Sequence, residues 1–263
     1  MQQFGILAFP AGHSLSPVIQ TAAFKLAGLE ARYDFFEVPP AGLADFFQRV
    51  RTEKIAGLSV SIPHKVACLN FLDECEVAAR EIGAVNTVFW RGGKLRGTNT
   101  DFLGALQAIQ TKINPQGKKV VILGGGGAAR AVTYALKGVG ARIQVLTREL
   151  EESVGLQQDF GVAVDVVANL ANYRPEILIN TTPVGMQGEF EGQSFVPASF
   201  FAGCQPFVFD VVYTPKETRL LQLAAAAGCV TLGGLEMLLR QAAEQFRIWT
   251  GREVPLEVLR GVV

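Results

Sequence analysis

The segment Lys118 to Arg130, KKVVILGGGGAAR, constrains this chain more than any other. Val120 to Leu123 is an unbroken apolar run rich in β-branched residues, which suits a parallel strand covered on both faces. Gly124, Gly125, Gly126 and Gly127 then allow backbone angles and close approaches that a side chain blocks. From Ala128 to Leu136 the residues are good helix formers, and Gly138 or Gly140 can close that helix. Gly124, Gly126 and Ala129 fall on the G-x-G-x-x-G/A pattern of dinucleotide-binding folds. The physical basis is anion binding, because free N–H groups and the positive end of a helix dipole attract a pyrophosphate.

A chain of 263 residues can form one large domain or two modest ones. Its 24 basic and 24 acidic side chains balance, so nothing asks for nucleic acid or an anionic membrane surface as partner. Cys68, Cys75, Cys204 and Cys229 are scattered without metal or redox spacing, and Cys68 and Cys75 read as small apolar residues of a helix. With His13 and His64 the only histidines, no metal centre is expected. Phe4 to Phe9 is apolar but lacks the flanks of a signal peptide. No run approaches the roughly 20 apolar residues of a membrane span. A cytoplasmic location is the expectation.

Strands and helices alternate along the chain. Strands are expected at Phe4 to Phe9, Arg32 to Val38 and Ile55 to Ile62, with helices after Ser16-Pro17, from Leu43 to Arg51, and around Val66 to Leu72 and Val77 to Ile82. Ala84 to Trp90 and Lys94 to Gly97 read as a hairpin around Gly92-Gly93. Beyond the glycine turn, strands are expected at Arg142 to Leu146, Val162 to Val167, Ile177 to Asn180, Phe207 to Val212 and Val230 to Leu232, with helices over about Glu149 to Phe160 and Thr218 to Ala227. The last helix, Leu235 to Trp249, carries one apolar stripe with Gln241 on its flank. The fold class is α/β in two domains: a mostly parallel α/β domain, and a doubly wound Rossmann-like dinucleotide-binding domain. The expected boundaries are 1–102 with 236–263 for the first, the last helix returning to it, and 103–235 for the second.

In such sheets, chemistry gathers just past the strand ends. Polar residues there include Ser14, Ser16, Ser59, Ser61, Lys65, Asn86 and Asp101 in the first domain, and the Asn180–Met186 and Asp210–Pro215 segments in the second. Each has a plain structural reading. Ser16 can be a helix N-cap, Lys65 a solvated first-turn lysine, Asn86 a partner for its own backbone, Asp101 a cap, and Gln241 a surface residue.

Taken together, Ser14-Leu15-Ser16-Pro17, Ser59-Val60-Ser61-Ile62-Pro63-His64-Lys65, Gly83-Ala84-Val85-Asn86-Thr87, Asn99-Thr100-Asp101, Gly124 to Ala128, Asn180 to Met186, Asp210 to Pro215 and Gly234 to Gln241 resemble the shikimate dehydrogenase family over essentially the whole chain. The resemblance implies reversible reduction of 3-dehydroshikimate to shikimate by a nicotinamide cofactor, in aromatic amino-acid precursor biosynthesis. It implies that Ser14 and Ser16 hold the substrate carboxylate. Ser61, Lys65, Asn86, Asp101 and Gln241 would meet the ring hydroxyls, and Tyr213 another part of the substrate. Lys65 and Asp101 match the catalytic pair. An ammonium beside a ketone that becomes an alkoxide supplies both charge and a proton, and a carboxylate would hold it in place.

For the cofactor, the resemblance implies contacts from Gly124, Gly125, Gly126, Gly127, Ala128, Thr147, Arg148, Val211 and Gly234. The family pattern for NADP is Asn-Arg-Thr followed by a further basic residue. Here Thr147-Arg148-Glu149 stands in its place, and Glu152 takes the second basic position. Arg148 can meet a 2′-phosphate, so NADP is the expected cofactor and NAD the alternative. Ser59 and Ser61 replace residues that are often asparagine and threonine in the family. Quinate as substrate, a folate dehydrogenase of similar outline and a nicotinamide-binding regulator without turnover are the competing readings. A monomer or a homodimer is compatible with the family.

Overall fold

The protein is described here by a computed structural model that covers residues 1–12 and 14–263. His13, one of the two histidines noted above, lies outside the described residues. The chain forms two compact units, Met1–Asp101 with Leu239–Val263, and Phe102–Leu238.

In chain order the first unit contains β1 (Gln2–Ala8), α1 (Ser16–Leu26), β2 (Ala31–Glu37), α2 (Leu43–Thr52), β3 (Gly57–Val60), β4 (Glu74–Cys75), α3 (Val77–Ile82), β5 (Thr87–Arg91) and β6 (Lys94–Thr98). The sheet order is β2-β1-β3-β5-β6-β4. Only β5 runs against its neighbours, so the sheet is mostly parallel. The near-continuous apolar run of β1 gives it two buried faces. On one, Leu7 joins Phe36, Phe46, Phe47, Val50, Leu58 and Val88. On the other, the Phe4 ring lies 4.7 Å from Phe24 of α1 and 5.2 Å from Trp249. A fully buried phenylalanine of this kind stabilises by about 2–3 kcal/mol.

The chain leaves this unit within α4 (Asp101–Gln110). The second unit then adds β7 (Lys119–Leu123), α5 (Gly127–Gly138), β8 (Arg142–Thr147), α6 (Val154–Phe160), β9 (Ala163–Val166), β10 (Ile177–Asn180), β11 (Phe207–Asp210), α7 (Arg219–Ala226) and β12 (Thr231–Leu232). All strands are parallel, in the order β12-β11-β10-β7-β8-β9. This is a doubly wound sheet whose order reverses between β7 and β10, the place where such folds bind ligands. Val120 and Ile122 of β7 pack into the core on one face, Val121 and Leu123 into that on the other. The chain returns to the first unit within α8 (Leu235–Thr250), and α9 (Leu256–Arg260) follows. Among the described residues no helix is long and apolar enough to cross a membrane.

Several local expectations need correction. Ser16 is the first residue of α1, not its N-cap. Leu15 holds the cap position without a side-chain bond, and the Ser14 hydroxyl accepts from the Ser16 N–H at 3.2 Å. Cys75 lies in β4, and Cys68 in a 3-10 turn over Ala67–Phe71, so neither sits in an α-helix. Asn86 precedes β5 and is not inside the hairpin. The helix expected from Glu149 begins as a 3-10 turn, Leu150–Ser153, and becomes α-helical only at Val154.

The loops after β10 and β11 are tied at a buried carboxylate. Asn180 Nδ2 donates to Asp210 Oδ1 at 2.9 Å, and Thr218 Oγ1 to Asp210 Oδ2 at 2.6 Å. Burial outweighs these donors and raises the Asp210 carboxyl from the usual 3.8 to about 6. The folded state therefore holds a proton that the unfolded chain releases between those values. The stability this contributes is present below the unfolded value and is lost as pH rises through about 6. Asp210→Asn, permanently neutral, should gain stability relative to the parent as pH rises from about 4 through about 6, by an amount on the order of 3 kcal/mol. Urea midpoints for both proteins at each pH check this, and a difference that does not change with pH contradicts it.

Candidate active site

The first unit brings its polar residues together at one edge of the sheet for a topological reason. Because β5 runs against β3 and β6, Thr87 at its start pairs with Ser59 of β3 and Thr98 of β6. Asn86, just before β5, therefore meets the residues that leave the C-terminal ends of β3 and β6. The backbone fixes the alignment: Val60 N–H donates to Asn86 O, Asn86 N–H to Thr98 O, and Val85 N–H to Lys65 O.

At the centre is Asp101, the first residue of α4, only 4% exposed. Lys65 Nζ donates to its Oδ2 at 2.7 Å, and Asn86 Nδ2 to its Oδ1 at 2.8 Å. The Asp101 N–H donates to Asn99 Oδ1, which fixes where α4 begins. The Asn86 amide is in turn clamped. Its Oδ1 accepts from the Thr100 N–H and the Thr87 hydroxyl, both at 2.7 Å, so its NH2 must face Asp101. Gln241 joins the same cluster, its Oε1 3.3 Å from Asn86 Nδ2 and its carbonyl accepting from Thr100 Oγ1. It is buried, which overturns the surface reading. Lys65 keeps 15% of its side chain exposed against 6% for Asp101, so the ammonium is the accessible partner.

Ser61 stands one residue past β3, half-buried, with its N–H on Leu7 O. Ser14 is half-buried and Ser16 buried, at the start of α1. His64 is buried with Nε2 donating to Val38 O at 2.7 Å, a structural tie between strand ends. Among the described residues no group of three or more histidine, cysteine, aspartate or glutamate side chains could hold a metal. Thr87 and Thr100, which the motifs contained without a role, and Gln245, which did not stand out in the sequence, belong to the cluster. Gln245 was detectable, since it lies four residues past Gln241 and hence one turn along the same helix face.

The second unit carries the glycine turn. Gly124 has φ +113°, and a Cβ there would sit 2.8 Å from Thr181 Oγ1. At Gly125 a Cβ would lie 2.3 Å from the Glu152 carbonyl oxygen. Gly126 caps α5, and nothing lies within 4 Å of where its Cβ would be. With no acidic residue in the first turn from Gly127 and Ala128 onward, this helix start offers free N–H groups beside open space. Thr147, at the end of β8, is buried, and its hydroxyl donates to Glu149 O at 2.8 Å, which shapes the turn that follows. Arg148 is 70% exposed and donates to Glu152 Oε1 at 3.1 Å. The start of α8 packs against the end of β11: Gly234 N–H donates to Val212 O, and a Cβ on Gly234 would stand 2.0 Å from the Val211 carbonyl oxygen. Tyr213 is half-buried in the segment after β11, and belongs to this unit.

Comparison with known proteins places the chain in a family. Residues 6–88 match the shikimate dehydrogenase substrate binding domain, and residues 234–263 the shikimate 5'-dehydrogenase C-terminal domain. A shikimate dehydrogenase (NADP(+)) of Thermococcus kodakarensis is 41% identical, covering 98% of this chain and 94% of its own. The crystal structure of shikimate dehydrogenase from Aquifex aeolicus superposes with a TM-score of 0.92 at 38% identity, covering 100% of this chain and 97% of that one. That of the Thermus thermophilus enzyme, in complex with NADP(H) and shikimate, gives 0.89 at 34% identity, with 100% of both chains covered. With its α/β units, its glycine turn and this full-length likeness, the chain belongs to the shikimate dehydrogenase family.

Proposed function

We propose that this protein is an NADP(H)-dependent oxidoreductase that reversibly reduces 3-dehydroshikimate to shikimate, a step toward the aromatic amino acids. The observation that carries the reading is the Lys65–Asp101–Asn86 cluster, an accessible ammonium anchored at 2.7 Å to a buried carboxylate. Bound NADPH supplies the hydride. The chain's own groups do the rest. Lys65 stabilises the oxygen that gains negative charge, and the Lys65–Asp101 pair supplies its proton. Asn86 holds the Asp101 carboxylate in place and, with Ser61 and Gln241, meets the ring hydroxyls. Ser14 and Ser16, at the start of α1, hold the substrate carboxylate, where hydroxyls and free N–H groups favour an anion. Tyr213 meets another part of the substrate.

The turn from Gly124 to Ala128 fits the pyrophosphate, with Gly126 leaving the space it needs. Val211 and Gly234 serve the cofactor where β11 ends and α8 begins. Arg148 takes the 2′-phosphate. Its pairing with Glu152 is exposed and of the i,i+4 kind, worth only about 0.3–0.5 kcal/mol, so a phosphate displaces it. Relatives named for NADP(+) support this choice, and neither the quinate reading nor the non-catalytic one gains support. Every residue assigned here lies on one chain, which fits a monomer or a homodimer alike.

The test is the appearance of NADPH on mixing the protein with shikimate and NADP. We expect turnover, and Lys65→Met should lower kcat by at least about a hundredfold with a much smaller change in KM. Normal turnover in that variant removes Lys65 from the mechanism. Glu152→Gln removes a negative charge beside Arg148. It should raise the NADP-over-NAD ratio of kcat/KM by about threefold to fivefold, the effect of roughly one exposed charge. An unchanged or lower ratio contradicts the placement of the 2′-phosphate.

A further inference from the structure

A second set of buried polar groups, Tyr33, Ser59, Gln245 and Thr87, leads up to Asn86, and none of these four meets substrate in the reading above. The Tyr33 hydroxyl donates to Ser59 Oγ at 2.6 Å, and Ser59 Oγ to Gln245 Oε1 at 2.7 Å. Gln245 Nε2 donates to the Asn86 carbonyl oxygen at 3.0 Å and to Thr87 Oγ1 at 3.2 Å. Thr87 Oγ1 passes the chain on to Asn86 Oδ1. The members are 8%, 4%, 1%, 0% and 2% exposed from Tyr33 to Asn86, so water cannot replace a lost bond.

The direction of every bond in this chain is fixed. The Asn86 carbonyl can only accept, so Gln245 must turn its NH2 toward it and its Oε1 toward Ser59. Ser59 must then donate to Oε1 and accept from Tyr33. Having accepted from Gln245, Thr87 has its proton free for Asn86 Oδ1. The Thr100 N–H is a donor on the same oxygen and forces the same answer. Asn86 is thus held from both sides with its NH2 aimed at Asp101.

We infer that Gln245 is a positioning residue for the reaction: by clamping the Asn86 carbonyl and the Thr87 hydroxyl it sets the Asn86 amide, and through it the orientation of the Asp101 carboxylate and the Lys65 ammonium. The inference rests on the functional reading above. It also explains why a glutamine is buried on α8 one turn past Gln241.

The test begins with the wild-type rate of shikimate oxidation with NADP. No rate overturns the functional reading itself and this inference with it. With that rate in hand, Gln245→Met keeps the volume and removes the amide, while Thr87→Val removes the hydroxyl and keeps the shape. Each should lower kcat, counted per shikimate-binding site, by about tenfold to a hundredfold, as a misplacement of catalytic groups does, with shikimate KM within about threefold. The double variant should cost little more than the worse single one, because both break one chain. Ser59→Ala, which leaves Gln245 Oε1 without its donor, should show a smaller loss of the same kind and stands in if Gln245→Met does not fold. The inference is overturned by wild-type kcat per site in folded variants, or by losses that multiply in the double variant, since a residue that merely supports the fold changes the number of active molecules and not their turnover.

Discussion

The shared carboxylate of Asp101 is the interaction on which the rest of this structure depends. One oxygen takes the Lys65 ammonium at 2.7 Å and the other the Asn86 amide at 2.8 Å. A buried carboxylate without partners costs several kcal/mol, and a buried pair breaks even only when its remaining lone pairs are met. Here they are met by groups from elements far apart in sequence. Lys65 follows β3, Asn86 precedes β5, and Asp101 opens α4 after β6. The antiparallel course of β5 within an otherwise parallel sheet puts these three segments at one edge. Topology, and not local sequence, assembles the charge pair.

The same logic explains why so many neutral polar groups are buried nearby. Thr87, Thr100, Asn99, Gln241 and Gln245 are all nearly inaccessible, and each has a hydrogen-bond partner that constrains the next. An apolar replacement at Thr87 would remove one of the bonds that hold the Asn86 amide in place. In the second unit, Asp210 does a similar task by different means. It ties two strand-end loops through Asn180 and Thr218, and burial raises its carboxyl to about 6.

Much of this was legible in the chain. The β7 run and its glycine turn read as a doubly wound unit because both rest on local rules, burial on two faces and anion-binding backbone. Lys65 and Asp101 stand out because lysine at a strand end and aspartate at a helix start are ordinary positions that become unusual in company. Other features depend on distance in space. Gln241 reads as a flank residue on a helical wheel, yet it is buried, because the segment from Asn86 to Thr100 packs over it. Thr147 reads as a cofactor contact, and its hydroxyl also donates to the Glu149 carbonyl within the turn, a tie that only the folded turn reveals. The cap of α1 moved because the Ser14 hydroxyl reached the Ser16 N–H, a choice between neighbouring serines that spacing alone does not make.

The position of the shikimate ring decides whether Lys65, Asp101 and Asn86 form the substrate site. A crystal structure of the protein with shikimate bound measures this directly. The account predicts ring hydroxyls within hydrogen-bond distance of Lys65 Nζ, the Asp101 carboxylate and the Asn86 amide, with the substrate carboxylate at Ser14 and Ser16. Shikimate bound elsewhere, with the Lys65–Asp101 pair untouched, would contradict it.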